Sequence, residues 1–206
     1  MSENNILAVI LAGGQSKRMG EDKVMLKIND ITLIEHTINK IKNLLPNIII
    51  ISDKNIDYVS SHNLPVIEDC IKGNQGPLIG ILSAMRWAKK SGKEFSWIVT
   101  FPCDTPFFPK DIVKKFIDLS NKKKFLLYFA SSKGQRHNIF GLWSIKLYEK
   151  LENDILNNNS RKVQDWAEKN NVQTIEFNFK DFDPFFNINT KEDLKIAREL
   201  YKKNKK

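Results

Sequence analysis

Short apolar runs that alternate with segments of helical periodicity constrain the fold of this 206-residue chain most strongly. The apolar runs predict strands at 6–11, 48–52, 65–68, 97–101, 125–130 and 139–143. Helices are predicted after residue 32, where Thr32 and Glu35 form a capping-box pattern, and at 78–90, 109–119, 144–156 and 191–203. This alternation predicts an α/β fold with a mostly parallel sheet, helices on both faces and a ligand site beyond the carboxyl ends of the strands.

Composition and length limit the classes of protein to which this chain can belong. With 41% hydrophobic and 28% charged residues the chain is globular, and its length predicts a single domain over 1–206. The longest apolar stretch, 6–12, is too short to span a bilayer, and no positive charge precedes it as in a secretory signal, so we expect no membrane association. Two cysteines, Cys70 and Cys103, make neither a disulfide framework nor a metal quartet, which favours the cytoplasm.

The net charge of +9 raises the question of nucleic-acid binding. Most of the excess comes from two clusters, the lysines at 122–124 and those at 202, 203, 205 and 206. Because so little excess is left for the rest of the chain, a basic stripe for nucleic acid is not expected. The charge instead favours a local site for a small anionic ligand.

The loop after the first predicted strand has the composition of a phosphate site. Paired glycines let the backbone approach a ligand closely, and successive N–H groups can form a nest for phosphate oxygens. Lys17, Arg18 and Lys23 add three cations within seven residues. The loop matches neither a G-x-G-x-x-G fingerprint nor a P-loop, because Glu21 follows Gly20. A surface turn with solvated lysines is the alternative interpretation.

The full loop resembles a known signature. Its residues are Leu11-Ala12-Gly13-Gly14-Gln15-Ser16-Lys17-Arg18-Met19-Gly20, with Lys23 three positions later. This segment resembles the signature loop of nucleotidyltransferases with a GT-A-like, Rossmann-like α/β/α fold, and most closely that of the molybdenum cofactor guanylyltransferase family. Three further blocks keep that family's order and spacing, namely 67–69 with 76–80, 101–106, and 186–194. The resemblance extends from residue 6 to about 200.

The resemblance implies an enzyme that transfers GMP from GTP to molybdopterin bearing molybdenum. The products would be the guanine dinucleotide form of the cofactor and pyrophosphate. By the same resemblance, residues 1–110 would bind the nucleotide and residues 111–200 the acceptor. Open alternatives are transfer of CMP to molybdopterin, transfer of a nucleotide to a sugar or polyol phosphate, and a non-catalytic carrier of the cofactor.

Nucleotidyl transfer requires mainly positioning and charge neutralisation, usually with Mg²⁺ held by one or two carboxylates. Asp104 directly follows a predicted strand, where its carboxylate would face the ligand crevice, although capping a turn ahead of Pro106 is an alternative role. The resemblance places the family's magnesium aspartate at Asp104. Arg18 and Lys23 are expected to hold the triphosphate and stabilise the leaving pyrophosphate.

The resemblance also implies the nucleotide contacts. Leu11, Ala12 and Gly13 would contact GTP through their backbone, and the remaining contacts would come from Lys23, Ser52, Asp69 and Asp104. Ser52 departs from the asparagine that relatives can carry there. Relatives that use CTP commonly have L-A-A-G where this chain has Leu-Ala-Gly-Gly, which favours GTP.

Asn187 and Asn189 alternate along a predicted strand and would project the same way. The resemblance places them near the acceptor, where they would contact the acceptor or a second metal, whereas capping of the last helix by Asn189 and Thr190 is the alternative. Arg136 and His137 lie in a predicted polar loop, 131–138, where relatives place acceptor-side residues. Proteins of molybdoenzyme maturation are further candidate partners. The sequence leaves the oligomeric state open, with a monomer as the default.

Overall fold

The computed structural model describes residues 5–13, 23–53, 63–73 and 76–203. Within them, the strands are β1 (Ile6–Leu11), β2 (Lys27–Ile28), β3 (Ile31–Thr32), β4 (Ile48–Ile51), β5 (Val66–Ile67), β6 (Trp97–Pro102), β7 (Leu127–Ser132), β8 (Gln135–Ser144) and β9 (Gln173–Glu176). The helices are α1 (Leu33–Ile41), α2 (Pro77–Lys90), α3 (Asp111–Lys122), α4 (Tyr148–Leu156), α5 (Val163–Lys169) and α6 (Lys191–Lys203).

Seven of these strands form one sheet in the order β5-β4-β1-β6-β8-β7-β9, and β2 and β3 form a separate hairpin. Pairings within the sheet are parallel except those of β8, which runs antiparallel to β6 and β7. The prediction of a mostly parallel sheet is therefore confirmed. Because β8 is reversed, its first residues lie at the same edge of the sheet as the carboxyl ends of β1 and β6.

The side chains of the central strand divide between two apolar layers, as the period of two requires. Ala8 and Ile10 pack on the side of α1 and α3. Leu7 and Val9 pack on the side of α2, α4 and α5. A third, smaller cluster joins α6 to the β2–β3 hairpin through residues such as Ile28 and Leu194. The structure thus has the expected three-layer α/β/α arrangement.

The capping box at the start of α1 forms as predicted. The Thr32 hydroxyl accepts a hydrogen bond from the Glu35 backbone N–H at 3.3 Å, and the Glu35 carboxylate accepts one from the Thr32 N–H at 2.9 Å. Two N–H groups that the helix itself leaves unpaired are therefore satisfied. Because the capping box depends on residues only three positions apart, the sequence alone predicts the start of α1.

Several predicted boundaries are wrong for identifiable reasons. Residues 131–138 are the end of β7, a tight turn and the start of β8, because Lys133 and Gly134 both adopt positive φ, the geometry of a two-residue hairpin. Ser144 ends β8 and its hydroxyl caps a 3₁₀ turn, so α4 begins only at Tyr148. The short α5 and the edge strand β9 were not predicted.

The predicted strand through Asn187 and Asn189 is also wrong. Residues 186–189 have no regular secondary structure. This segment is held instead by a backbone hydrogen bond from the Ile188 N–H to the Asp104 carbonyl, at 2.9 Å. Ile188 itself is fully buried. Its anchoring leaves the two flanking asparagines at the surface.

No helix in the described ranges is both long and apolar enough to cross a membrane.

Gly141 in β8 leaves no room for a side chain. A Cβ there would lie 2.6 Å from Trp143 Nε1 and 2.7 Å from Phe129 Cε1. We expect Gly141→Ala to lower the free energy of unfolding by about 1–3 kcal/mol through overpacking. Gly134→Asn, at an exposed turn where φ is +75°, is the control. Its free energy of unfolding should stay within about 0.5 kcal/mol of the wild type. Urea denaturation of both variants measures the difference, and equal stability would contradict the overpacking.

Candidate active site

A crevice opens at the carboxyl ends of β1, β4 and β6, on the α2 side of the sheet. Its volume is about 200 Å³. The lining residues come from the strand ends, the start of α2 and β8: Leu11, Gly13, Ile51, Asp69, Gly76, Pro77, Gly80, Pro102, Asp104 and Ile139. This is the edge at which open α/β sheets bind ligands, and it is the edge at which the sequence predicts the site.

Lys23 joins two segments that are distant in sequence. It begins a 3₁₀ turn, and its ammonium donates to Asp104 Oδ2 and to Asn189 Oδ1, both at 2.7 Å. The side chains of Lys23 and Asp104 are 14% and 24% exposed, so solvent screens this ion pair only in part. A cation, a carboxylate and an amide oxygen therefore meet at the mouth of the crevice.

Thr105 and Asn187 extend this network. The Thr105 hydroxyl lies 3.0 Å from Asp104 Oδ1 and also hydrogen-bonds Asn187 Oδ1. Asn187 and Asn189 thus both reach the Asp104 network. The Ile188 backbone bond places them there, and not the predicted alternation of a strand, while their contact with the acceptor stays a prediction. Asn189 also takes part in the turn before α6, where its N–H donates to Asp193.

Asp69 lies deeper in the crevice, with an unsatisfied oxygen. Its Oδ1 is buried and has no hydrogen-bond partner among the described residues. Burial and, to a lesser extent, the charge of Asp53 raise the pKa of this carboxyl, a Ser83 hydrogen bond opposes them, and the resulting pKa is about 6. Gly80 of α2 packs against the same wall, where a Cβ would lie 3.1 Å from Leu11 Cδ2 and 3.3 Å from Ile51 Cγ2. A ligand that donates a hydrogen bond to Oδ1 would remove the cost of burying it.

The remaining expected nucleotide contacts divide into two groups. Leu11 and Gly13 line the crevice, and a Cβ on Gly13 would meet no described atom within 4 Å, so its backbone is accessible. Ala12 and Ser52 are buried behind this surface, where the Ala12 N–H donates to the Ile51 carbonyl and the Ser52 N–H to the Ile67 carbonyl. Arg18 lies outside the described residues, as does the rest of 14–22.

His137 and Arg136 do not line the crevice. The His137 ring stacks on Phe185 with centroids 4.1 Å apart and bonds the Ser132 hydroxyl at 2.6 Å, and burial lowers its pKa. Arg136 pairs with Glu168 at 2.8 Å. Both positions are therefore explained by packing and ion pairing within the protein.

Thr105 and Ile139 are among the residues of the site that are not predicted from the sequence. The position of Thr105 next to Asp104 was a usable signal. Ile139 had none, because a residue near the start of a strand reaches this edge only when that strand is antiparallel to its neighbours.

Comparison with known proteins gives a consistent result. Residues 8–172 match the family described as the MobA-like NTP transferase domain. A protein named molybdenum cofactor guanylyltransferase from Mesorhizobium japonicum is 32% identical over 200 residues, covering 95% of this chain and 96% of the relative. The protein of the same name from Rhizobium meliloti is 35% identical over 195 residues, covering 92% and 89%.

A solved structure shows the same fold. Molybdopterin-guanine dinucleotide biosynthesis protein A from Archaeoglobus fulgidus superposes with a TM-score of 0.77 at 24% identity. The match covers 96% of this chain and 99% of that one.

The raised pKa of Asp69 makes stability depend on pH. An acid whose pKa is higher in the folded state stabilises the fold below its unfolded value near 3.8, and this contribution is lost as the pH rises through about 6. Asp69→Asn removes the cost of the buried charge at pH 7. For a fully enclosed group the free energy of unfolding would rise by about 3 kcal/mol. Because solvent screens this half-buried side chain, we expect a rise of about 1 kcal/mol.

Thermal unfolding at pH 4 and pH 7 tests this expectation. Asp69→Asn should be more stable than the wild type at pH 7 and equal to it at pH 4. Asp118→Asn, at an exposed position on α3, is the control. Its free energy of unfolding should stay within about 0.5 kcal/mol of the wild type at both pH values. A gain that is the same at pH 4 and pH 7 would contradict the linkage to Asp69 ionisation.

Proposed function

This chain belongs to the MobA-like NTP transferase family, and we propose that it is an enzyme that transfers GMP from GTP to molybdopterin bearing molybdenum. The products are the guanine dinucleotide form of the cofactor and pyrophosphate. Relatives over nearly the full length carry the name molybdenum cofactor guanylyltransferase, which supports this activity. The family expected from the first loop and its companion blocks is the one that matches.

The observation that carries the proposal is the meeting of Lys23, Asp104 and Asn189 at the mouth of the crevice. Nucleotidyl transfer needs groups that accept and neutralise phosphate charge next to a nucleoside pocket. The ammonium of Lys23 lies at the carboxyl end of β1 and β6, and Asp69 and the Gly13 backbone lie in the adjoining crevice. A site that only bound a nucleoside would not need this charged network.

The transfer is a direct displacement. An oxygen of the acceptor's terminal phosphate forms a bond to the α-phosphorus of GTP, and the bond from that phosphorus to the oxygen bridging to the β-phosphate breaks. Its electron pair leaves with pyrophosphate. Lys23 and Arg18 hold the triphosphate and stabilise the charge that develops on the leaving group.

The donor set at this site fits a divalent cation. Asp104 and Asn189 already direct one oxygen each at the same ammonium, at 2.7 Å. Among the described residues no three His, Cys, Asp or Glu side chains cluster as a ready metal site, and Mg²⁺ requires only one or two carboxylates when phosphates and water complete its shell. Asp104 would hold Mg²⁺, which would neutralise phosphate charge when bound.

The chemistry of the crevice favours guanine. The Watson–Crick edge of guanine carries an N1–H and an amino group, and the buried Asp69 Oδ1 needs a donor. Leu11, Ala12 and Gly13 are proposed to contact the nucleotide through their backbone, with Ser52 behind them. Asn187 and Asn189 are proposed to contact the acceptor phosphate from the opposite side of Asp104.

The same proposal extends to the organisation of the domain, the oligomeric state, the compartment and the partner proteins. Residues 1–110 form the nucleotide-binding part and 111–200 the acceptor-binding part of one domain. The enzyme acts as a monomer in the cytoplasm, a reducing compartment that suits Cys70 and Cys103, which form no disulfide with each other. Proteins of molybdoenzyme maturation would receive its product.

The proposed function is tested by pyrophosphate release from GTP and from CTP, each with Mg²⁺ and freshly prepared molybdenum-loaded molybdopterin. We expect release with GTP at a kcat/KM well above that with CTP. A preference for CTP would indicate the cytidylyl alternative. Binding of GTP without any release of pyrophosphate would indicate a non-catalytic carrier and would contradict the proposal.

Two substitutions test the charged network. Asp104→Asn keeps the size of the side chain and should abolish detectable turnover, because the anionic oxygen is lost. Lys23→Ala should lower kcat/KM by about 10²–10³-fold, the effect of losing one fixed electrostatic donor. Asp111→Asn, on the exposed first turn of α3, is the control for Asp104→Asn. Activity of Asp104→Asn near that of the control would remove Asp104 from the mechanism.

A further inference from the structure

A second and larger cavity lies on the other side of the sheet. It has a volume of about 800 Å³ and is formed by α1, the approach to α3, the 179–184 segment and the end of α6. None of its lining residues belongs to the crevice at Asp69. Half-buried aromatic rings form much of its wall, among them Phe107, Phe182 and Tyr201. Phe107 and Phe182 meet edge to face with centroids 5.5 Å apart.

Cations surround this aromatic wall. Lys40, Lys110 and Lys180 line the cavity together with one acid, Asp181, among the described residues. None of the three lysines forms an ion pair with a described carboxylate. The described part of the wall therefore combines flat apolar surface with a net positive charge, which suits a planar anion.

Lys40 shows how strongly this cavity favours an anion. Its ammonium donates to the Phe108 carbonyl at 2.7 Å and lies 4.7 Å from the centroid of the Phe108 ring. Burial, and then the nearby charge of Lys110, lowers the pKa of Lys40 to about 8. An anion between the two lysines would offset their repulsion.

Two chain segments connect the cavity with the Asp104 site. One runs from Asp104 to Phe107 and the other from Phe182 to Asn187, and both line the cavity at one end and contact the Asp104 network at the other. The Thr105–Asn187 hydrogen bond joins the two segments at their Asp104 end. The wall of the cavity and the Asp104 network are thus built on the same two segments.

The volumes of the two spaces decide what each can hold. The proposed reaction brings two planar ring systems, guanine and pterin, to one phosphorus atom. The crevice at Asp69, at about 200 Å³, lies below the about 300 Å³ of pockets that enclose a whole small molecule, so it has room for one base and not for two. The second planar ring therefore needs a separate space, and the larger cavity shares two chain segments with the Asp104 network.

We propose that the cavity lined by Phe107, Phe182, Lys40 and Lys110 seats the pterin ring of the acceptor, with the acceptor's phosphate directed to Asp104 and Asn187. The aromatic edges contact the ring face, and the lysines face the anionic groups of the pterin and its molybdenum. This assignment rests on the proposed function, since it identifies the acceptor as a pterin phosphate. It adds α1 and α3 to the acceptor-binding surface.

Binding of a stable, fluorescent pterin monophosphate tests the assignment. The nucleotide site of the full chain is first saturated with a GTP analogue whose α–β bridge is a methylene group, and anisotropy then reports the pterin. We expect Phe182→Ala and Lys110→Glu each to weaken binding by about tenfold or more. Phe182→Tyr should restore binding, and unphosphorylated pterin and inorganic phosphate should both bind more weakly than the pterin monophosphate.

Lys114→Glu is the matched control, because Lys114 is exposed on α3 one turn beyond Lys110 and does not line the cavity. It should bind the pterin phosphate as the wild type does. In turnover assays Phe182→Ala and Lys110→Glu should raise the KM for the acceptor and leave the KM for GTP unchanged. A change in the KM for GTP alone would overturn the assignment.

The outcomes separate this assignment from the proposed function. The assignment of this cavity to the pterin ring would be contradicted if the wild type, Phe182→Ala and Lys110→Glu bound the pterin phosphate equally, or if the wild type did not bind it. GMP transfer could still be measured in either case. If the wild type binds the pterin phosphate in this cavity but releases no pyrophosphate from GTP, the proposed function is contradicted. The assignment of the cavity to the pterin ring would remain.

Discussion

The ammonium of Lys23 holds the candidate site together. It donates to Asp104 and Asn189, residues that are 81 and 166 positions away along the chain, at 2.7 Å each. The Ile188–Asp104 backbone bond and the Thr105–Asn187 contact tie the same segments. Because this partly buried pair is costly to break on one side only, the loops that carry the chemistry stay in register with the sheet.

The sheet determines which residues can reach that network. Parallel β1 and β6 bring Gly13 and Asp104 to one edge, as the alternation of strands and helices predicted. The antiparallel β8 brings the beginning of a strand to the same edge and so adds Ile139 to the crevice wall. The helices then divide this edge into two sides, with α2 beside the crevice at Asp69 and α1 and α3 beside the larger cavity.

This division matches the chemistry of a dinucleotide product. The crevice offers a buried carboxylate oxygen and an accessible glycine backbone, which suit a base with hydrogen-bond donors. The cavity offers aromatic rings and uncompensated lysines, which suit a planar anion. Asp104 lies between the two, where the phosphates of both halves would have to meet.

The sequence by itself determined the fold class and the capping of α1, because these depend on local pattern and on motifs within a few residues. Its prediction of a strand through Asn187 and Asn189 is wrong, since an anchored loop presents them. The phosphate loop and the roles of Asp104, Asn187 and Asn189 stay predictions. Only the tertiary structure decided the direction of β8, the orphan oxygen of Asp69 and the Lys23 network. Each of these arises from contacts between segments far apart in the chain, and their packing leaves no trace in local periodicity.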